Sequence, residues 1–206
     1  MKPLYPLTFT KADTSLPCQI VLLEESELPQ ILSFQEYLCS CVQDKDTFVP
    51  LSEKEWRFLL SHGFTFAVMP DSHPERFAYL LGCLYPSDEE NLGIDLGLPK
   101  EELPFVGHLE IAMADPDFRG YKMHSRMCQL GVERFAQDGK TKYVCSTVSP
   151  RNTPSLKALQ SAGLECMMEK EKYGRKLRCI MLKKIKKYFY FFNNRFIIHS
   201  FLAVFQ

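Results

Sequence analysis

Apolar positions along this 206-residue chain switch between a two-residue and a helical period several times. The run CQIVLLEE, beginning at Cys18, predicts a first strand. Ile31, Phe34, Leu38 and Cys41 then recur at helical spacing within SELPQILSFQEYLCSCVQD. LSEKEWRFLLSHG predicts a second helix: Ser52 stands at its cap, Glu55 follows three residues on, and Gly63 ends it. FTFAVM and FAYLLGCLY read as strands around a turn with Pro70, Asp71 and Pro74. HLEIAMA is the next strand. A turn leads from it into a helix over residues 122–137, which Gly139 breaks, and TKYVCSTVS forms another strand. A short helix over residues 153–162 stops at Gly163. LECMMEKEKY and KLRCIMLKKI close the pattern as a hairpin turning near Gly174. This alternation predicts an α/β fold, a single domain with a mixed sheet flanked by helices.

Three stretches fall outside the periodic pattern. Residues 1–17 hold Pro3, Pro6 and Pro17 without periodicity and read as an irregular leader to a domain spanning 18–185. PSDEENLGIDLGLPKEELP, punctuated by Pro86, Gly93, Gly97, Pro99 and Pro104, reads as a mobile polar loop. It is either a substrate cover before the next strand or a plain surface connection. Residues 186–206 form an aromatic, hydrophobic tail interrupted by Asn193, Asn194, Arg195, His199 and Ser200. A membrane span needs about 20 largely apolar residues, so the tail is too short and too polar in its middle. A terminal element packed on the domain is the first expectation. The basic LKKIKK before it leaves membrane-surface binding or self-association open.

A composition of 46% hydrophobic and 24% charged residues is that of an ordinary globular domain. The 25 basic side chains balance 25 acidic ones, so the basic excess of a nucleic-acid-binding domain is missing and no such partner is expected. Eight cysteines include no Cys-x-x-Cys pair and sit mostly in apolar runs such as LLGCLY and YVCSTV. No secretory apolar segment follows MKPLYPLTFTKAD. Reduced thiols packed in the core of a cytoplasmic protein are therefore expected. The five histidines do not fall at ligand spacing near paired cysteines, so no metal site is expected. Cys128 and Cys145 lack a Cys-His-acid arrangement and read as buried thiols rather than nucleophiles.

Chemistry concentrates between His108 and Leu164. The turn DPDFRGYKMH places Arg119 and Gly120 at a helix start, where free amides and the helix dipole favour an anion. By two-residue alternation His108, Glu110 and Ala112 share one strand face. His108 and Glu110 are titratable groups able to take a proton, and each also has a purely structural reading. Asn152 suits a helix N-cap and Pro154 the opening turn.

The order strand, turn, helix, strand, helix over roughly residues 105–165 resembles the core of the GNAT superfamily of acyl-CoA-dependent N-acyltransferases. The resemblance implies acetyl-CoA as cosubstrate, an amine acceptor of unknown identity, and direct attack assisted by Glu110 or His108. It implies cofactor contacts at Ala112 and Ala114, at Arg119, Gly120, Tyr121, Lys122, Met123 and His124, and at Asn152 and Ser155. It also implies a V-shaped opening between the strands holding Leu109–Ala114 and Tyr143–Val148. Lys122 and His124 stand where the family's phosphate turn carries small residues. Leu159 stands where many relatives carry a tyrosine that protonates the leaving thiolate. A non-catalytic coenzyme A-binding or sensing module is the alternative these departures leave open.

Overall fold

The computed structural model describes residues 1–86 and 91–185. Eight strands form one sheet in the order β1-β2-β3-β4-β5-β6-β8-β7. Strands β1 (Lys2–Lys11), β2 (Thr14–Leu23), β3 (Gly63–Pro70), β4 (Tyr79–Leu84) and β5 (Val106–Ala114) run as an antiparallel meander. Helices α1 (Leu28–Cys41) and α2 (Glu53–His62) fill the β2–β3 connection. β5 then pairs in parallel with β6 (Tyr143–Val148). A parallel neighbour needs a crossover, and α4 (Met123–Gln137) supplies it. Helix α5 (Thr153–Ser161) leads into the hairpin β7 (Glu165–Lys172) and β8 (Lys176–Lys184), whose second strand pairs with β6.

The mixed α/β sheet flanked by helices is the predicted class, with two corrections. Residues 1–17 are not an irregular leader: most of them form β1 and the first residues of β2, as a hairpin closed at Ala12 with φ 48°. Proline is tolerated on an edge strand because one of its sides needs no amide donor, so Pro3 and Pro6 did not break the strand. Phe9 is buried against the core. The second correction concerns the stretch before β5. Asn91 is buried, caps the single turn α3 (Leu92–Asp95), and donates from Nδ2 to the Leu103 carbonyl at 2.8 Å. Residues 91–105 are therefore built structure. The tail over residues 186–206 lies outside the described residues.

Each sheet face has its own core. On one face α4 and α5 cover Phe64, Phe66, Leu81 and Leu109 with Met127, Phe135 and Leu159. Gly107 of β5 gives α4 its close approach: a Cβ there would meet the Phe135 ring at 2.6 Å. On the other face α1 and α2 cover Val21, Ala67, Leu80, Ile111 and Met113 around the fully buried Trp56. Trp56 donates its Nε1–H to Gln35 Oε1 at 3.0 Å, and Gln35 exchanges two more hydrogen bonds with the backbone of Leu51. The linker between α1 and α2 is thereby anchored at its far end.

Truncating Phe9 tests the N-terminal hairpin. Phe9→Ala should lower stability by about 3 kcal/mol in urea unfolding, as for a buried core aromatic. An unpacked leader would give a change within about 0.5 kcal/mol.

Candidate functional site

The ladder between β5 and β6 is short. It joins Val106 to Tyr143, Gly107 to Val144 and His108 to Cys145, and then stops. Past that point the strands separate, so their facing backbone groups lose each other as partners. The first orphan is satisfied locally: Ser146 donates its hydroxyl to the Leu109 carbonyl at 2.8 Å, in a buried position. This is the V-shaped opening expected from the resemblance. It forms the centre of a groove of about 1080 Å³ that runs from the α4 start to the α1–α2 linker.

At one end of the groove lies the turn into α4. Asp115 sits at 2% exposure, accepts the Asp117 amide at 3.0 Å, and is paired with Arg76 at 2.6 Å. These contacts fix the sharp exit from β5, through a 3-10 turn over Pro116–Phe118. No side chain caps α4, whereas Ser52, Asn91 and Asn152 cap α2, α3 and α5. Its first amides therefore remain available to an anion. Gly120 has φ 93° and Lys122 has φ 56° with ψ 23°, both left-handed. The backbone at Lys122 thus follows a course that favours glycine, with the lysine side chain exposed. His124 packs beside the Tyr79 ring at 5.6 Å between centroids.

The N-terminal hairpin reaches this turn. Lys11 Nζ donates to the Arg119 carbonyl at 3.2 Å, and its side chain crosses the position a Gly120 Cβ would fill. Thr14 and Tyr121 share a hydroxyl hydrogen bond at 3.2 Å. Sequence reasoning missed both contacts because it assigned no structure to residues 1–17.

On β5 the predicted shared face is broken. Between Gly82–Ile111 and Cys83–Leu109 the register shifts, leaving Glu110 as the extra residue of a bulge. Leu109 consequently packs toward α4, as do Ala112 and Ala114, while Ile111 and Met113 pack toward α1 and α2. His108, Glu110 and Ala112 do not share a face. The bulge sets Glu110 at the split, lining both the groove and a second cavity of about 440 Å³ beside α3 and β7. Thr147 and Tyr173 line that cavity too, their hydroxyls 3.2 Å apart. Tyr173 was not singled out by the sequence, where it is one residue of a polar hairpin turn.

His108 is 2% exposed, and its Nε2 accepts the Leu92 amide at 3.3 Å. Burial, with a smaller push from Lys172, lowers its imidazole to about 4. His124 is lowered to about 4 by burial. Asn152 uses its Oδ1 to accept the Ser155 amide at 3.2 Å, the cap expected of it. Leu159 is a buried core residue. Burial pushes the Cys128 and Cys145 thiols up to about 12, far from a thiolate nucleophile.

Two outcomes are expected. Left-handed backbone costs a non-glycine residue roughly 1–2 kcal/mol, so Lys122→Gly should raise the urea midpoint and the melting temperature. The buried His108 and the half-buried His124 gain a proton near 6.5 when unfolded but near 4 when folded. Stability should then be full above pH 6.5 and fall as pH drops toward 4. His108→Gln keeps an acceptor for the Leu92 amide, and should shrink the stability difference between pH 7.5 and 4.5 by about 2 kcal/mol.

No model of a protein family matches the sequence, and no curated protein does. Solved structures match across nearly the whole described chain. Arabidopsis thaliana NAA60, in complex with acetyl-CoA, superposes with TM-score 0.63 at 10% identity, covering 81% of this chain and 97% of that one. The ribosomal-protein-S5-alanine acetyltransferase of Vibrio fischeri gives 0.61 at 14% identity, over 89% and 98%. Aminoglycoside acetyltransferase AAC(6')-Ib, in complex with coenzyme A and kanamycin, gives 0.56 at 13%, over 80% and 93%. Among the described residues no helix is long and apolar enough to cross a membrane. Split sheet, bulged β5 and the helix entered from its turn are held together in one architecture, and by that architecture the chain has the GNAT acetyltransferase fold.

Proposed function

We propose that the protein is an N-acyltransferase that moves an acetyl or other short acyl group from acyl-CoA to an amine by direct attack. The observation that carries this reading is the β5–β6 ladder ending at His108 and Cys145, in one groove with the uncapped start of α4. A long anionic cosubstrate suits that combination. Amides of the Arg119–His124 turn would receive its phosphates, with Arg119 and Lys122 adding charge. The strand ends at Ala112–Ala114 and Ser146–Val148 would receive an extended amide-bearing arm through backbone hydrogen bonds.

An ammonium group cannot attack a thioester until it loses a proton. Glu110 is the favoured base, because the bulge sets it at the split where the two cavities meet. His108 supports it from behind: neutral, buried and already accepting the Leu92 amide, it positions the strand rather than taking the proton. A covalent route is disfavoured, since the Cys128 and Cys145 thiols are held protonated. With Leu159 packed in the core, the departing thiolate takes its proton from water or another hydroxyl. Coenzyme A thiolate is stable enough as a leaving group for that to suffice.

The left-handed Lys122 and the core Leu159 also suit a coenzyme A-binding module without turnover. Calorimetry with coenzyme A, then an amine screen with acetyl-CoA, separates the readings. Wild type should bind coenzyme A, and Lys122→Glu should weaken binding more than it changes folding stability. Glu110→Gln should lower kcat about 10²-fold or more with coenzyme A affinity kept. Binding without turnover of any amine would favour the module, and no binding at millimolar ligand would overturn both readings.

A further inference from the structure

The β7–β8 ribbon carries an unusual row of charge. Lys170 lies opposite Arg178, and Lys172 lies opposite Lys176, so four cations stand on one face of the hairpin. Like charges placed directly opposite one another destabilise a strand pair. Two-residue alternation puts this face with Ile180 and Thr147, the side of the sheet that holds α3 and Glu110's second cavity. It is the side opposite α4 and α5.

Three of the four cations are matched. Asp95 of α3 pairs with Lys170 and Lys172, each at 2.6 Å. Asp46 of the α1–α2 linker pairs with Lys176 at 4.0 Å and with Arg151 at 3.1 Å, while Asp44 pairs with Arg151 at 3.2 Å. Arg178 is the exception. It is 4% exposed, and its guanidinium donates to two backbone carbonyls, Leu177 at 2.9 Å and Asp46 at 2.6 Å. Among the described residues no carboxylate lies within ion-pair distance of it. The centre of the Tyr173 ring lies 5.9 Å from its guanidinium carbon.

A buried guanidinium with carbonyl partners alone leaves most of its desolvation cost uncompensated. The buried Asp115, by contrast, has Arg76. Arg178 also lines the main groove, beyond the end of β6 and beneath the α1–α2 linker. A guanidinium presents five donors in a fixed fork, and two are used.

We propose that Arg178 receives a carboxylate of the acceptor, so that the acylated amine belongs to an amino acid or to an acidic peptide end. This rests on the acyltransferase reading for its context. The carboxylate would complete the missing ion pair, and the amine would extend toward Glu110 across the groove. Asp44 and Asp46 pair directly with Arg151 and Lys176 and act on Arg178 only from beyond ion-pair distance, so Arg178 is the cation of the face with no carboxylate in contact, and marks one anion subsite instead of a diffuse one.

The test uses amines in matched pairs, as free carboxylate and as carboxamide. Glycine, β-alanine and glutamate form the small-molecule arm. Tetrapeptides with amidated ends, beginning with Asp or Glu against Asn or Gln, form the peptide arm. Calorimetry on the coenzyme A-loaded protein should show a carboxylate preference of about tenfold or more in one arm. That arm names the source. Arg178→Met should abolish the preference with coenzyme A affinity unchanged, and Arg178→Lys, a point charge without the fork, should retain part of it. A preference absent from wild type, or persisting in Arg178→Met, overturns the proposal. Should Arg178→Met not fold, an undiminished preference in Arg178→Lys overturns it equally. If coenzyme A itself fails to bind wild type, the acyltransferase reading falls, and the same titrations on the unliganded protein decide Arg178 alone.

Discussion

The central groove of this molecule depends on where one hydrogen-bond ladder stops. β5 and β6 pair over three residues and then part, which a sheet interior ordinarily forbids because each lost pair strands a donor and an acceptor. Two local features make the separation tolerable. The Ser146 hydroxyl takes up the Leu109 carbonyl at the apex, and the bulge at Glu110 turns β5 away while keeping it joined to β4. Packing on both faces seats β5 at the last paired residues. α4 is pressed onto β5 at Gly107, and α3 is held against His108 by the Leu92 amide.

Sequence periodicity carried the order of elements well, because most strands and helices here have an apolar face and explicit ends. The Ser52–Glu55 capping box and the Asn152 cap are local chemistry, and both formed as expected. What periodicity could not carry was any feature decided by a distant partner. Pro3 and Pro6 signal a break unless the strand is known to be an edge. Glu110 reads as one member of an alternating face unless the register against Gly82 and Cys83 is known. Arg178 was not singled out within the KLRCIMLKKI strand. Its burial comes from the Asp46 linker, 132 residues away along the chain.

The turn into α4 shows how a departure from a pattern can leave its geometry standing. Lys122 adopts the left-handed conformation that glycine would take freely. The surrounding contacts, Asp115 with Arg76 on one side and Lys11 on Arg119 on the other, over-determine that conformation. The strain is tolerated at a turn that lines the groove. The backbone course is what an anion would meet, and the side chain is a modifier of it.

The contact between the N-terminal hairpin and that turn ties two regions into one cooperative unit. β1 is an edge strand, the kind of element that opens at low free energy. Because Lys11 and Thr14 at the hairpin's tip hold Arg119 and Tyr121, fraying of the edge and loosening of the turn draw on the same local equilibrium. By reciprocity, whatever orders the turn also protects the amides of β1 from solvent exchange. The chain's first dozen residues are therefore a lever on a groove they do not line, and a fusion partner attached at Met1 would act on it through that lever.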